Sequence, residues 1–222
     1  MPVWHRSAVG ELDFWFKLAD TMVATGRGPD FVTIDGGEGG TGAAPLSFAD
    51  HVSLPFKVGF SRVYRIFHER GIADQIVFIG SGRLGFPESA LFAFALGCDM
   101  IAVAREAMIS IGCIQAQRCH TNDCPTGVAT QSAWLTRGLD PVSKSVRAAS
   151  YLITLRAAID KLCRATGKSH PALVTAFDLE LLDDGFGSRT VAEVFGYDPG
   201  MGRPSGLEES GVREILAEAR AS

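Results

Sequence analysis

The sequence predicts an α/β chain whose core is a parallel βα array. Helix and strand patterns alternate through the first two thirds, the strand patterns are short apolar runs, and the first two of them lead directly into glycine-rich loops. Short apolar runs of this kind suit strands buried on both faces. In such arrays chemistry collects at the carboxyl ends of the strands.

The elements follow in order. Residues 11–25 predict an amphipathic helix, with Leu12, Trp15, Phe16, Leu18, Ala19, Met22 and Val23 on one side and Gly26 as its stop. Residues 31–35, β-branched at Val32, Thr33 and Ile34, predict a buried strand. From 55 to 70 apolar residues return at helical spacing, and Gly71 closes the segment. A second strand is expected at 75–80, a helix at 87–96 with Pro87 in its first turn, a third strand at 99–104 and a short helix at 106–111. Only three strands are expected in the first ~110 residues, whereas a closed eight-stranded barrel takes ~250 residues. Beyond the cysteine segment the pattern gives a long helix at 143–165, then a tail read as loops on Asp183, Asp184, Gly185, Gly187, Pro199, Gly200, Gly202 and Pro204, and a solvated terminal helix at 207–219.

Composition narrows the function. The chain has 222 residues, 46% hydrophobic and 21% charged, enough to bury a core. A net charge of -4, with signs interleaved, offers no basic stripe for nucleic acid. The longest apolar stretch, 89–104, is broken by Asp99 and falls short of the ~20 residues a bilayer requires, so no membrane segment is expected. Polar residues after Trp4, His5 and Arg6 argue against a secretory leader, and five cysteines argue against a disulfide framework. The expected compartment is the reducing cytoplasm.

Three segments carry chemistry. The first is Gly36-Gly37-Glu38-Gly39-Gly40-Thr41-Gly42, with five glycines in seven positions. Such a run fits either a sharp turn or backbone amides approaching a flat or anionic ligand where a Cβ would collide. It is no dinucleotide fingerprint, because it does not open a helix. The second is Gly80-Ser81-Gly82-Arg83 before one helix, echoed by Ala104-Arg105 before the next. Two helix N-termini with arginines nearby can hold a phosphate, although Arg83 and Arg105 fit a solvated surface equally well. The third is Cys113, Cys119 and Cys124, at Cys-x5-Cys-x4-Cys spacing with His120 between them. Zinc normally takes four ligands, so this spacing suits iron–sulfur ligation better. Three reduced thiols packed into a loop are the alternative, and His120 fits either a hydrogen-bond donor or a loop residue. Cys98 and Cys163 read as core residues.

The segments 35–45, 80–82 and 112–131 together resemble the FMN-binding synthase domain of glutamate synthase, and more narrowly its stand-alone glutamate synthase-like family, from about residue 11 to about 204. The resemblance implies the carboxy-terminal half of a (β/α)8 TIM barrel at 1–138, with a helical and loop-rich C-terminal extension at 139–222 packed on it. It further implies FMN beside a three-iron, four-sulfur (3Fe-4S) cluster. Cys113, Cys119 and Cys124 would ligate the cluster. Gly39, Gly40 and Gly42 would line the flavin, with Glu38 and Thr41 as catalytic candidates. Gly80, Ser81, Gly82, Arg83, Ala104 and Arg105 would hold the FMN phosphate. Glutamate synthases carry aspartate where this loop has Glu38, and a Gly-Thr pair near Ala104-Arg105. The implied reaction is reduction of 2-iminoglutarate, formed from 2-oxoglutarate and ammonia, by flavin hydride fed through the cluster from ferredoxin or an NAD(P)H-dependent subunit. A further subunit supplying the other barrel half, a purely electron-transferring FMN subunit, and a flavin oxidoreductase of another substrate are the remaining expectations.

Overall fold

The computed structural model describes residues 1–38, 48, 52–204 and 206–221. Four strands, β1 (Trp4–Ala8), β2 (Phe31–Asp35), β3 (Val77–Ser81) and β4 (Met100–Ala102), lie side by side in that order, all parallel. Ala8 pairs with Asp35, Asp35 with Ser81, and Ser81 with Ala102, so the carboxyl ends form one rim. The expectation of three strands is corrected by β1. Its His5, Arg6 and Ser7 hide the apolar signal, and it sits at the sheet edge, where polar side chains cost little.

Helices α1 (Asp13–Thr25), α2 (Phe56–His68) and α3 (Pro87–Ala95) alternate with the strands. Trp15 and Ala19 of α1 and Phe60, Val63 and Phe67 of α2 are buried in one core with Val32, Ile34 and Phe78 of the sheet. Gly26 ends α1 in the left-handed region at φ 64°, donating its N–H to the Met22 carbonyl at 2.8 Å.

The opposite face is different. Strand alternation puts Trp4, Arg6, Thr33, Asp35, Ile79 and Met100 there. Trp4 donates its indole N–H to Thr33 Oγ1 at 2.9 Å, and Arg6 grips Asp35 through two hydrogen bonds of 2.7 and 2.9 Å. Trp4 nevertheless remains 60% exposed and Met100 53% exposed. Parallel sheets are ordinarily covered on both faces. Among the described residues this one is an open sheet, consistent with part of a barrel.

After β4 come α4 (Arg105–Ser110), an irregular cysteine segment, and α5 (Pro141–Ala165). The Asp140 carboxylate caps α5 by accepting from the amides of Val142 and Ser143. Leu155, Ile159 and Cys163 of α5 share a second buried cluster with Ala90, Leu91 and Ala95 of α3. The tail is more ordered than its loop residues predict. β5 (Glu180–Leu182) and β6 (Ser188–Thr190) form an antiparallel hairpin, and α6 (Val191–Phe195) follows with a complete Thr190/Glu193 capping box. These two strands of three residues are largely polar and exposed, with no apolar run like that of β4 to mark them. The last helix, α7, spans Gly206–Ala221. No helix among the described residues is long and apolar enough to cross a membrane.

One tail contact predicts an acid response. Burial pushes the Asp178 carboxyl up, but hydrogen bonds from the Thr175 amide, Lys168 and the Thr175 hydroxyl outweigh it and hold the group below its usual range. A depressed folded-state pKa contributes stability that is fully present above the unfolded value of ~3.9 and is lost as pH falls through the folded one. D178N is therefore expected to melt lower at neutral pH and to show a shallower acid limb below about pH 4 in thermal unfolding followed by circular dichroism.

Candidate functional site

At the carboxyl rim three loops are tied together through backbone. Gly36 donates its N–H to the Ser81 carbonyl at 2.7 Å, Gly37 to that of Leu54 at 2.8 Å, and Leu54 to that of Val9 at 2.8 Å. Both Glu38 carboxylate oxygens accept from the Phe56 amide, at 2.8 and 2.9 Å, at the first residue of α2. There the unsatisfied amides and the helix dipole favour negative charge.

The glycines of these turns are explained by packing. A Cβ on Gly37 would lie 2.7 Å from the Ser53 carbonyl oxygen, and one on Gly80 would lie 2.8 Å from both Cys98 Sγ and Phe56 Cζ. One on Gly82 would come within 2.8 Å of Phe56 Cβ and 3.1 Å of Glu38 Oε2, and Gly36 is pressed against Glu38 and Phe56 in the same way. Glu38 thus joins the β2 and β3 turns to the start of α2. E38A is expected to cost about 1–2 kcal/mol of stability, as loss of a helix N-terminal acceptor does, and E38Q clearly less because it keeps one acceptor oxygen. Denaturant unfolding of the two variants measures the difference. Gly39, Gly40, Thr41 and Gly42 lie outside the described residues.

The phosphate candidates are divided. Ser81 ends β3, Gly82 follows it, and Arg83 is exposed with a left-handed φ of 51°. Ala104 precedes α4 and Arg105 opens it. Arg105 faces the cysteine segment, lining one cavity with Met108, Cys113, Cys119, Cys124 and Thr126. That cavity lies on the segment that follows β4, whose Ala102 pairs with Ser81 at the end of β3.

The cysteine segment is held open by local turns. Gln115, Gln117 and Asn122 adopt left-handed φ of 55°, 54° and 65°. The Cys113 amide donates to the Met108 carbonyl at 3.0 Å, and Cys113 Sγ accepts from the Gln115 amide at 3.4 Å. Asn122 closes the far end: its Oδ1 accepts from the Gln131 amide at 2.7 Å and from the Thr130 hydroxyl at 3.0 Å.

The three thiols differ. Burial pushes the Cys119 thiol up, and the negative charge that Cys113 and Cys124 would carry pushes it further. Burial also acts to raise Cys124, yet the Thr126 hydroxyl and the amides of Ala129, Thr126 and Val128 more than offset it, bringing this thiol down to about 7. All five cysteines are free thiols, and Cys98 and Cys163 are buried, as expected of core residues. Among the described residues no three His, Cys, Asp or Glu side chains converge on one metal ion. Thr126, Asn122 and Thr130 escaped the sequence reading, because their contacts appear only when the loop is closed.

Comparison with known proteins gives the family. The family described as the conserved region in glutamate synthase matches residues 17–169. The glutamate synthase large subunit-like protein YerD of Bacillus subtilis is 39% identical over 170 residues, covering 77% of this chain and 32% of YerD. The archaeal glutamate synthase [NADPH] of Methanocaldococcus jannaschii is 37% identical over 138 residues, covering 62% of this chain and 27% of that protein. Ferredoxin-dependent glutamate synthase 2 of Synechocystis is 36% identical over 124 residues, 56% of this chain and 8% of the relative. The chain thus spans about a third or less of each of these relatives. With the family match alone extending over well more than half of its residues, the chain belongs to the glutamate synthase family.

Proposed function

We propose that this chain supplies the flavin- and cluster-binding rim of a glutamate synthase-type oxidoreductase that makes glutamate by reducing 2-iminoglutarate. The observation that carries the proposal is the cysteine cavity: three thiols line one cavity on an irregular loop, and one of them, Cys124, has its thiol brought down to about 7 by hydrogen-bond donors that would equally serve an iron-bound sulfur. Cys113, Cys119 and Cys124 would hold a 3Fe-4S cluster. The turn at Gly80, Ser81, Gly82 and Arg83, with the backbone at Ala104 and Arg105, would hold the FMN phosphate; Gly39, Gly40, Thr41 and Gly42 would lie against flavin and substrate. Glu38 would act by fixing the departure of that loop from the α2 terminus. When bound, the flavin supplies hydride to the imine carbon and the cluster supplies single electrons.

The half-exposed sheet face and the size of the relatives support a working enzyme that contains more polypeptide than these residues, in the same chain or in a partner subunit that completes the barrel. One relative is named for NADPH and another as ferredoxin-dependent, and electrons would come here from ferredoxin or from an NAD(P)H-dependent subunit. The test is anaerobic reconstitution of the 222-residue chain with iron, sulfide and FMN, followed by visible spectroscopy and iron, sulfide and flavin analysis. Stoichiometric iron with bound flavin is expected. A colourless protein that takes up neither would refute the proposal.

A further inference from the structure

We infer that the Thr126 hydroxyl sets the reduction potential of the cluster held by this segment, through its hydrogen bond to the Cys124 sulfur. The inference rests on the cluster reading above and assigns a role to a residue outside the ligand set. Thr126 Oγ1 lies 3.5 Å from Cys124 Sγ. In a free thiol either atom can donate, but a sulfur bound to iron carries no proton, so the hydroxyl becomes the donor. Cys124 is also the most enclosed ligand, 6% exposed, whereas Cys113 and Cys119 are half-buried. Its neighbours Thr126, Val128 and Ala129 turn their amides toward the same sulfur. The more open Cys113 sulfur accepts from the Gln115 amide at 3.4 Å.

This asymmetry has a redox consequence. Hydrogen bonds to cluster sulfurs and shielding from solvent are two of the levers that set the potential. Reduction adds one electron, delivered in the test by a chemical reductant, and increases the negative charge that the ligand sulfurs share. A hydroxyl donating to Cys124 stabilises that charge and raises the potential. The three amide donors belong to the backbone of the turn, so Thr126 contributes a side-chain donor that a substitution can remove while leaving them in place.

Thr126→Val is nearly isosteric and removes only the donor. In the full 222-residue chain reconstituted with iron and sulfide, T126V is expected to make one-electron reduction about tenfold less favourable, a shift of about 59 mV to more negative potential. T126S should restore the wild-type value, and T126A should shift in the same direction as T126V. The readout is a redox titration followed by the electron paramagnetic resonance of the oxidised cluster. An unchanged potential in T126V and T126A, or a T126S shift as large as that of T126V, would overturn the inference while leaving the cluster reading intact. A wild-type chain that assembles no cluster would instead overturn the function reading, and this inference with it. Should T126V fail to retain iron, the comparison of T126A with T126S decides the point in the same way.

Discussion

Substitution of Cys124 by alanine is expected to abolish iron incorporation into the reconstituted chain, whereas Cys163→Ala should leave it at the wild-type level. The contrast follows from where each sulfur sits. Cys163 is fully buried on α5 against α3, and its sulfur donates to the Lys168 carbonyl at 3.5 Å, so alanine there removes packing and about 1–2 kcal/mol of stability without touching the cysteine cavity. Cys124 lies at the inner end of the cavity it shares with Cys113 and Cys119, surrounded by one hydroxyl and three amides that stabilise a thiolate. A cluster held by three thiolates that loses its best-prepared ligand loses an iron site and the enclosure around it. Iron and sulfide analysis with visible absorption measures the outcome, and circular dichroism confirms that both variants fold. Full iron content in C124A, or equal losses in both variants, would count against the assignment of this cavity as the cluster site.

Much of the scaffold was legible from sequence, and the residues explain why. Strands β2, β3 and β4 are apolar, and the helices between them are punctuated by Gly26, Gly71 and Gly97, each in a left-handed conformation that favours glycine. What escaped was structure whose signal is tertiary. β1 draws on β2 for its pairing and on the Arg6–Asp35 ion pair for its polar side chains, so its own five residues look like a polar terminus. The β5–β6 hairpin turns on the Asp183 carboxylate, which accepts from the amides of Gly185 and Gly187 at 2.9 and 2.8 Å, an arrangement that a loop reading of Asp and Gly cannot distinguish from coil. At the site the same division holds. Cysteine spacing suggested a shared centre, and the structure gathers the three around one cavity. At Gly36, Gly37, Gly80 and Gly82 protein atoms fill the space a Cβ would take, so packing by itself requires glycine there, whatever the backbone amides bind. Glu38, read as a catalytic candidate, spends both oxygens on a helix amide, a contact that requires Phe56 to arrive from 18 residues away.

Gly127→Ala is expected to be strongly damaging, lowering stability and cluster content together. Gly127 sits at φ 76°, a conformation that costs an alanine roughly 1–2 kcal/mol. Its added Cβ would also run into the Leu135 carbonyl oxygen, with Thr136 Cα at 3.0 Å and the Leu135 carbonyl carbon at 3.1 Å. All three are backbone atoms, so no side chain can swing aside, and overpacking of this kind costs about 1–3 kcal/mol more. The combined penalty of about 2–5 kcal/mol corresponds to a melting temperature lower by roughly 5–15 °C in a chain of this size. Relief would require moving the turn that follows Cys124, where Gly127 itself donates to the Cys124 carbonyl at 3.2 Å and Thr126, Val128 and Ala129 direct their amides at the sulfur. The strain therefore falls on the ligand loop, and iron content should drop more steeply than the melting temperature alone implies. Gly138→Ala is the matched control: a Cβ there meets nothing within 4 Å, and melting within a degree or two of wild type is expected. A G127A chain with wild-type iron and wild-type melting would mean that the 124–129 turn is free to rearrange, and the thiolate environment at Cys124 would then be an incidental feature of one loop conformation rather than a prepared ligand site.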